Sequence, residues 1–145
     1  MNTLQIGRAG ELLVQYKLLK FGIDSSALTT DSGIDLVAYS TRIKEARTIQ
    51  VKANEKAKPG GGLGSLALDW WLRIDSPADF VAIACLDSNE AWLFTHKEFS
   101  EAAQQSSNGR VHFYMYIEDS VKTKKKALKS QFNEFLLENR VSELL

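Results

Sequence analysis

Two short stretches decide how this sequence is interpreted: residues 33–39 read GIDLVAY, and residues 47–52 read RTIQVK. In both, β-branched or apolar residues alternate with others and a polar turn lies between them, which predicts an antiparallel hairpin. Side chains along a strand point alternately to opposite faces. We therefore predict that Asp35 in the first strand and Gln50 and Lys52 in the second lie on one face. An aspartate, an amide and a lysine together indicate a functional site and not a core.

The rest of the sequence predicts helices and strands in alternation. The predicted elements are a helix from Asn2 or Thr3 to about Phe21, a weak edge strand at 23–30, the hairpin, a loop at 54–65, a segment of undetermined type at 66–72, strands at 79–86 and 90–95, a helix at 97–105, a strand at 110–118, and an amphipathic helix from about Lys124 to the end. The buried face of that last helix is predicted to carry Leu128, Phe132, Phe135, Leu136 and Leu144. This order predicts a single α/β domain over residues 1–145, with a mixed central sheet flanked by helices.

The composition limits the classes of protein to consider. With 145 residues, 44% hydrophobic and 25% charged, the sequence suits one globular domain with its own core. The formal net charge is zero, so any contact with DNA would depend on a local basic patch. The one cysteine, Cys85, excludes an intrachain disulfide. The sequence shows no apolar run typical of a signal peptide or a membrane span, and we expect a cytoplasmic protein without a membrane partner.

A third motif precedes the hairpin, because residues 7–11 read GRAGE within the predicted first helix. Together with the Gly-Ile-Asp-Leu and Ile-Gln-Val-Lys motifs, it resembles the PD-(D/E)xK nuclease superfamily, which has the restriction-endonuclease-like fold. The Gln-x-Lys spelling is similar to that of Mrr-like restriction endonucleases, and Glu11 resembles the first-helix glutamate of archaeal Holliday-junction resolvases. Two positions differ from the family pattern: Ile34 stands in place of proline, and Gln50 in place of the second acid.

The resemblance implies a metal-dependent DNA endonuclease. It implies that Asp35 is the main ligand of Mg²⁺ or Mn²⁺, with further oxygens from the Gln50 side chain and the Val51 carbonyl. Glu11 would bind the metal directly or through water, and Lys52 would hold the attacking water or the charge of the transition state. Because one site per chain cuts one strand, cleavage of both strands implies a homodimer. No organic cofactor is implied.

Several lysines are candidates for phosphate contacts. Lys56 and Lys58 lie in the predicted loop after the hairpin, and a basic run follows near the C-terminus, formed by Lys122, Lys124, Lys125 and Lys126. The alternative for the loop is a plain flexible connection, and for the run a solvated surface. Trp70 and Trp71 are able to stack on bases, but flanking leucines are more typical of a core.

A second interpretation of the motifs needs no catalysis. Asp35 and Lys52 would then form a cross-strand ion pair on a solvated sheet face. The protein would be a degenerate, non-catalytic module of the nuclease fold that binds nucleic acid or a protein partner. Gln50 separates the two hypotheses, because a neutral amide leaves only Asp35 and Glu11 as charged ligands and predicts weak metal binding unless substrate phosphate completes the site.

Overall fold

The computed structural model of the protein describes residues 1–30, 32–60 and 64–145. The helices are α1 (Thr3–Leu19), α2 (His96–Ala102), α3 (Leu137–Leu144) and a 3₁₀ helix (Lys129–Phe135). The strands are β1 (Asp24–Ala27), β2 (Leu36–Ser40), β3 (Glu45–Asn54), β4 (Lys58–Gly60), β5 (Ser65–Arg73), β6 (Phe80–Cys85), β7 (Glu90–Thr95), β8 (Gln105–Ser107) and β9 (Arg110–Tyr116).

The strands form two sheets. The central sheet has five strands in the order β1-β2-β3-β6-β7, and β3 and β6 are parallel while the other neighbours are antiparallel. The second sheet has four antiparallel strands in the order β4-β5-β9-β8. The predicted α/β class with a mixed central sheet is confirmed, although the sequence analysis did not separate β5 and β9 into a second sheet.

Two apolar cores lie on opposite faces of the central sheet. Along β6, Phe80, Ala82 and Ala84 enter the first core, while Val81 and Ile83 enter the second. This alternation follows from the two-residue period of a strand. Helices α1 and α3 cover the first core, and the inward side chains of β5 and β9 cover the second. The central sheet is therefore buried on both faces at β6, as its continuous apolar sequence predicts.

The predicted C-terminal helix from Lys124 is wrong. The chain there forms the 3₁₀ helix, which is kinked at Phe132, and α3 starts only after Leu136, which has non-helical backbone angles and forms an isolated β-bridge with Trp92. The apolar residues serve both cores: Phe132 is buried in the second, and Leu137 and Val141 are buried in the first. One continuous helix has a single apolar face, so it could not place these side chains on both sides of the sheet.

Two smaller predictions are also corrected, and a segment whose type the sequence left open is assigned. Strand β2 begins at Leu36, so Asp35 precedes the strand and does not lie inside it. The predicted loop at 54–65 contains β4, which pairs with β5, while residues 61–63 of that loop and Asp31 of the predicted turn lie outside the described residues. The segment at 66–72 is part of β5. None of the helices in the described part of the chain is long and apolar enough to cross a membrane.

Helix α1 packs closely on β3. It starts at a capping box in which the side chains of Asn2 and Gln5 each accept the other's backbone N–H. Farther along, Gly10 meets the strand: a Cβ at this position would lie 2.5 Å from Ala53 Cβ and 3.6 Å from Val51 Cγ1. The absence of a side chain at Gly10 therefore allows α1 to support the part of β3 that carries Gln50 and Lys52.

Replacing Gly10 with alanine is expected to destabilise the protein, because the added methyl group would collide with Ala53 and push α1 off β3. Gly7 is the matched control, since nothing lies within 4 Å of a Cβ placed there. Gly7→Ala should raise the free energy of unfolding by roughly 0.5–1 kcal/mol, because alanine is the better helix former. Gly10→Ala should lower it by roughly 1–3 kcal/mol. Urea unfolding measures both, and equal stabilisation by the two variants would contradict the close packing.

Candidate functional site

The pairing of β2 with β3 changes at Asp35. The Asp35 N–H still donates to the Ile49 carbonyl at 2.9 Å, but the Val51 N–H donates to the Asp35 carboxylate at 2.7 Å. A side-chain oxygen thus takes the place of a backbone acceptor where β2 separates from β3. This bond fixes the carboxylate of a half-buried residue beside Val51, between Gln50 and Lys52 in the sequence.

Gln50 and Lys52 lie on the face of β3 opposite to the apolar residues that pack toward α1. Both line a cleft of about 570 Å³ where β3 meets the second sheet. The Gln50 Oε1 atom accepts a hydrogen bond from the Ser76 hydroxyl at 2.5 Å. Lys52 is half-buried and brings a positive charge into the cleft.

The second sheet supplies the rest of the charge in the cleft. Arg73 of β5 and Arg110 of β9 are directly opposite each other in the strand register, and both line the cleft with Lys52. Asp75 is bound to Arg73, with the Nε and Oδ1 atoms 3.0 Å apart. The hydrogen bond from Arg73, together with its positive charge, lowers the pKa of Asp75, and the same contacts raise the pKa of Arg73. The cleft is locally basic although the protein has no net charge.

Two contacts set the shape of the cleft. The Asn54 side chain donates to the Asp69 carbonyl and accepts from the Asp69 N–H, both at 2.9 Å, and so holds the end of β3 against β5. On the other side, Gly33 has a φ of 82°, and a Cβ there would lie 2.9 Å from Pro77 Cδ. The loop before Asp35 can approach Pro77 only because this residue is glycine.

Glu11 is not brought into the cleft with Gln50 and Lys52. It is half-buried on α1 and forms an ion pair with Arg8, whose Nη1 atom is 2.9 Å from its Oε2 atom. Any role of Glu11 at a metal would require that ion pair to open.

The predicted phosphate-binding lysines fall into two groups. Lys56 and Lys58 line a cavity of about 390 Å³ to which Lys52 also contributes, so they lie beside the candidate site. Lys122 and Lys124 are exposed on the irregular segment after β9.

Lys125 and Lys126 are engaged with other groups. The Lys125 ammonium donates to the Gln104 carbonyl at 2.6 Å, and the Lys126 ammonium is 3.4 Å from the Glu134 carboxylate. Both line a separate cavity that also contains acidic residues, among them Glu98. The structure thus gives the basic run a different surface from that of Lys56 and Lys58.

The donor atoms near Asp35 suit a hard divalent ion. The Asp35 carboxylate, the Gln50 amide oxygen and the Val51 carbonyl are oxygen donors, which Mg²⁺ and Mn²⁺ prefer. Mg²⁺ keeps several waters, so one or two carboxylates are sufficient. Within residues 1–30, 32–60 and 64–145, no group of three or more His, Cys, Asp or Glu side chains is placed to hold a metal. The donor set fits a weakly held ion whose remaining ligands are water and substrate.

Ser76, Arg73 and Arg110 were not predicted as site residues. Ser76 follows β5 and reaches Gln50 across 26 positions of sequence. The two arginines enter the cleft through the pairing of β5 with β9, which joins distant segments. Alternation along residues 65–73 places Trp71 and Arg73 on the face opposite to Trp70 and Leu72, but this signal is weak because Ala67 and Trp71 make the outward set partly apolar as well.

The fold and the cleft together define a class: an α/β protein with a mixed central sheet that carries a carboxylate, an amide and a lysine where two strands separate. The bacterial homing endonuclease I-Ssp6803I is similar in structure, with a TM-score of 0.57 and 16% sequence identity over 86% of this chain and 84% of that chain. Hjc, a Holliday junction resolvase from Archaeoglobus fulgidus, is also similar, with a TM-score of 0.50 and 17% identity over 79% and 84% of the two chains. These likenesses confirm the predicted restriction-endonuclease-like fold class. No protein-family model matches the sequence, and no curated protein matches it.

Removing the Asp35 carboxylate is expected to leave the Val51 N–H without its acceptor. Asp35→Ala should therefore be less stable than Asp35→Asn, in which an amide oxygen can still accept that bond. The difference in the free energy of unfolding should be about 1–3 kcal/mol, the cost of a poorly solvated donor without a partner. Urea unfolding of the two variants measures it. Equal stabilities would show that the bond does not hold the junction of β2 and β3.

Proposed function

We propose that this protein is a metal-dependent DNA endonuclease that hydrolyses phosphodiester bonds in the cleft where β3 meets the second sheet. The observation that carries the proposal is the bond from the Val51 N–H to the Asp35 carboxylate, because it fixes a carboxylate next to the strand that sends Gln50 and Lys52 into a basic cleft. The structural likeness to a homing endonuclease and to a Holliday junction resolvase supports the same activity.

The charges of the cleft suit a phosphodiester. Among the described residues that line it are the cations Lys52, Arg73 and Arg110 and one carboxylate, that of Asp75. A pair of arginines directly opposite each other in adjacent strands repel one another. A bound phosphate would relieve that repulsion, and phosphate contacts position a nucleic acid without reading its sequence. The basic cleft thus attracts phosphate locally, although the protein as a whole has zero net charge and does not.

Different residues of the chain are proposed to have different roles in hydrolysis. Asp35, the Gln50 oxygen and the Val51 carbonyl would hold a Mg²⁺ or Mn²⁺ ion, which when bound neutralises phosphate charge and lowers the pKa of a coordinated water. Lys52 is proposed to bind the charge that develops on the phosphate in the transition state, or to orient the attacking water. Ser76 holds the Gln50 amide in place through its hydrogen bond. Glu11 is proposed as a further ligand, directly or through water.

Other elements of the proposal extend beyond the cleft. Lys56 and Lys58 are proposed to contact the DNA backbone next to the cleft, because Lys52 lines the same cavity. The run Lys122, Lys124, Lys125 and Lys126 is proposed as a second, more distant phosphate surface. A homodimer would bring two such sites to the two strands of a duplex, and the expected location is the cytoplasm.

The competing function is a nuclease-fold module that binds nucleic acid or a protein without cutting. The observation that favours it is the composition of the donor set: Asp35 is accompanied by the neutral Gln50 amide, whose oxygen already accepts a bond from Ser76. Weak metal binding follows from that composition. The two functions share the basic cleft and differ in whether a metal binds there.

Cleavage assays with Mg²⁺ or Mn²⁺ test the proposed activity on duplex, single-stranded and branched DNA. Asp35→Asn should abolish cleavage because it removes the ligand charge, and it can keep the acceptor for Val51. Lys52→Ala should lower the rate by about a hundredfold or more, because it removes a charge aimed at the transition state. The matched control is Lys97→Ala, whose lysine is exposed on α2 and pairs only loosely with Glu101 at 3.9 Å. Cleavage by Asp35→Asn at the wild-type rate would overturn the proposal.

Gln50→Glu separates the enzyme from the binding module. In the enzyme, a second carboxylate beside Asp35 would repel it without metal and raise a carboxylate pKa, while a bound cation would attract both. The variant should therefore melt at a lower temperature than wild type in a chelator and regain stability with Mn²⁺ or Mg²⁺. Glutamate can still accept the Ser76 bond, so that contact is not lost. Melting curves that do not respond to metal in either protein, with DNA present, would favour the binding module.

A further inference from the structure

The outward face of the second sheet is rich in aromatic side chains. Strand β5 alternates, so Trp70 is buried in the second core while Trp71 is 39% exposed on the opposite face. Strand β9 alternates in the same way and places His112 and Tyr114 on the outward side, where Tyr114 is half-buried and the His112 side chain is 16% exposed. Trp71 is thus part of a contiguous aromatic surface, and such a surface, unlike a single exposed ring, is typical of an interaction site.

The rings on this face form an ordered row. The rings of Trp71 and His112 are stacked, with centroids 4.2 Å apart and an angle of 3° between their planes. The His112 ring is oriented at both nitrogens, because Nε2 lies 2.9 Å from the Asp69 carboxylate and Nδ1 lies 3.2 Å from the Gln105 side-chain oxygen. Tyr114 continues the row, with its ring centroid 5.5 Å from that of His112. The rings are therefore held in position before any ligand arrives, which lowers the entropic cost of stacking.

The row is continuous with the cleft. Trp71 and Arg110 line the cleft with Lys52, and they also line a second cavity with Ser107 and Asn108. In the opposite direction, Lys58 lines a cavity of about 430 Å³ with His112, Tyr114 and Tyr116. Basic side chains thus border the aromatic row at both ends. Aromatic rings flanked by cations complement a polymer of flat bases and phosphates.

We infer that this face is a stacking platform for unpaired DNA bases, so that the preferred substrate carries single-stranded or unpaired nucleotides next to the phosphate in the cleft. The inference rests on the proposed function. Bases inside a duplex already stack on their neighbours and do not present their faces to a protein, whereas unpaired bases stack readily on aromatic side chains. Duplex DNA could use the arginines and lysines alone, and unpaired DNA could use the rings as well.

A purely structural role for Trp71 makes a different prediction. Trp71 and His112 are directly opposite each other in adjacent strands, and such pairs contribute to sheet stability. In that case, removing the ring would lower the free energy of unfolding and leave the ratio of affinities for single-stranded and duplex DNA unchanged. The ratio is therefore the decisive quantity.

Binding in a chelator tests the platform independently of cleavage. The probes are a fluorescein-labelled single strand of mixed sequence and the duplex of the same sequence, measured by anisotropy. Trp71→Ala should weaken binding of the single strand about tenfold, in the range measured for loss of one stacked base, and change duplex binding less than twofold. Trp71→Phe, which keeps an aromatic ring, should restore most of the affinity. The control is Tyr16→Ala, whose tyrosine is 60% exposed on α1 on the other side of the central sheet.

Tryptophan emission gives a second readout. Trp70 and Trp92 are 2% and 1% exposed, so only Trp71 is accessible to a base. The single strand should quench the emission of wild type and leave that of Trp71→Phe unchanged. Equal loss of single-strand and duplex affinity in Trp71→Ala, or the same loss in Tyr16→Ala, would overturn the platform.

The failure of the platform and the failure of the nuclease proposal are distinguishable. Metal-dependent cleavage by a protein whose single-strand preference does not depend on Trp71 would overturn the platform and leave the nuclease proposal standing. Selective loss of single-strand binding in Trp71→Ala, in a protein that cuts no DNA, would support the platform on a non-catalytic module.

Discussion

The hydrogen bond from the Val51 N–H to the Asp35 carboxylate is the interaction on which the candidate site depends. Where β2 separates from β3, a donor on β3 loses its backbone partner, and a poorly solvated N–H without an acceptor is costly. The aspartate supplies the acceptor and is thereby held beside the strand that carries Gln50 and Lys52. On the other face, Val51 packs toward Gly10 of α1. The hydrogen bond at this break in strand pairing therefore satisfies the Val51 N–H and also fixes the position of the Asp35 carboxylate.

The second sheet adds positive charge beside the point where β2 separates from β3, and so forms a basic cleft there. The central sheet contributes Lys52, and the opposed arginines come from β5 and β9. Asn54 fixes the distance between the sheets through its two hydrogen bonds to Asp69. The second core, between the sheets, holds β5 and β9 together, and Trp71 and Arg110 line the cleft from the outward face of these strands. The positive charge of the cleft and the aromatic face of the second sheet thus both depend on packing between segments that are distant in the sequence.

Local pattern was sufficient for the hairpin and insufficient for its surroundings. Alternation at residues 33–39 and 47–52 predicted the strands and separated Gln50 and Lys52 from the apolar face, and the order of elements predicted the mixed sheet. Residues 66–72 have apolar side chains in both alternating sets, so their strand type and outward face were not evident. Arg110 meets Arg73 only through pairing of distant strands. The apolar residues of the C-terminal segment have helical spacing, but they pack into two different cores, and this requires a break in the helix at Leu136. No sequence pattern near Leu136 predicts that break.

The position of a bound ion tests the central claim most directly. Crystals of the protein grown with Mn²⁺ and a short DNA would locate the ion by its anomalous scattering. The account predicts a peak bonded to the Asp35 carboxylate, with the Gln50 oxygen or the Val51 carbonyl and a DNA phosphate oxygen completing the ligands. A peak elsewhere, or DNA bound in the cleft with no ion at Asp35, would contradict the claim that the junction of β2 and β3 is a catalytic site.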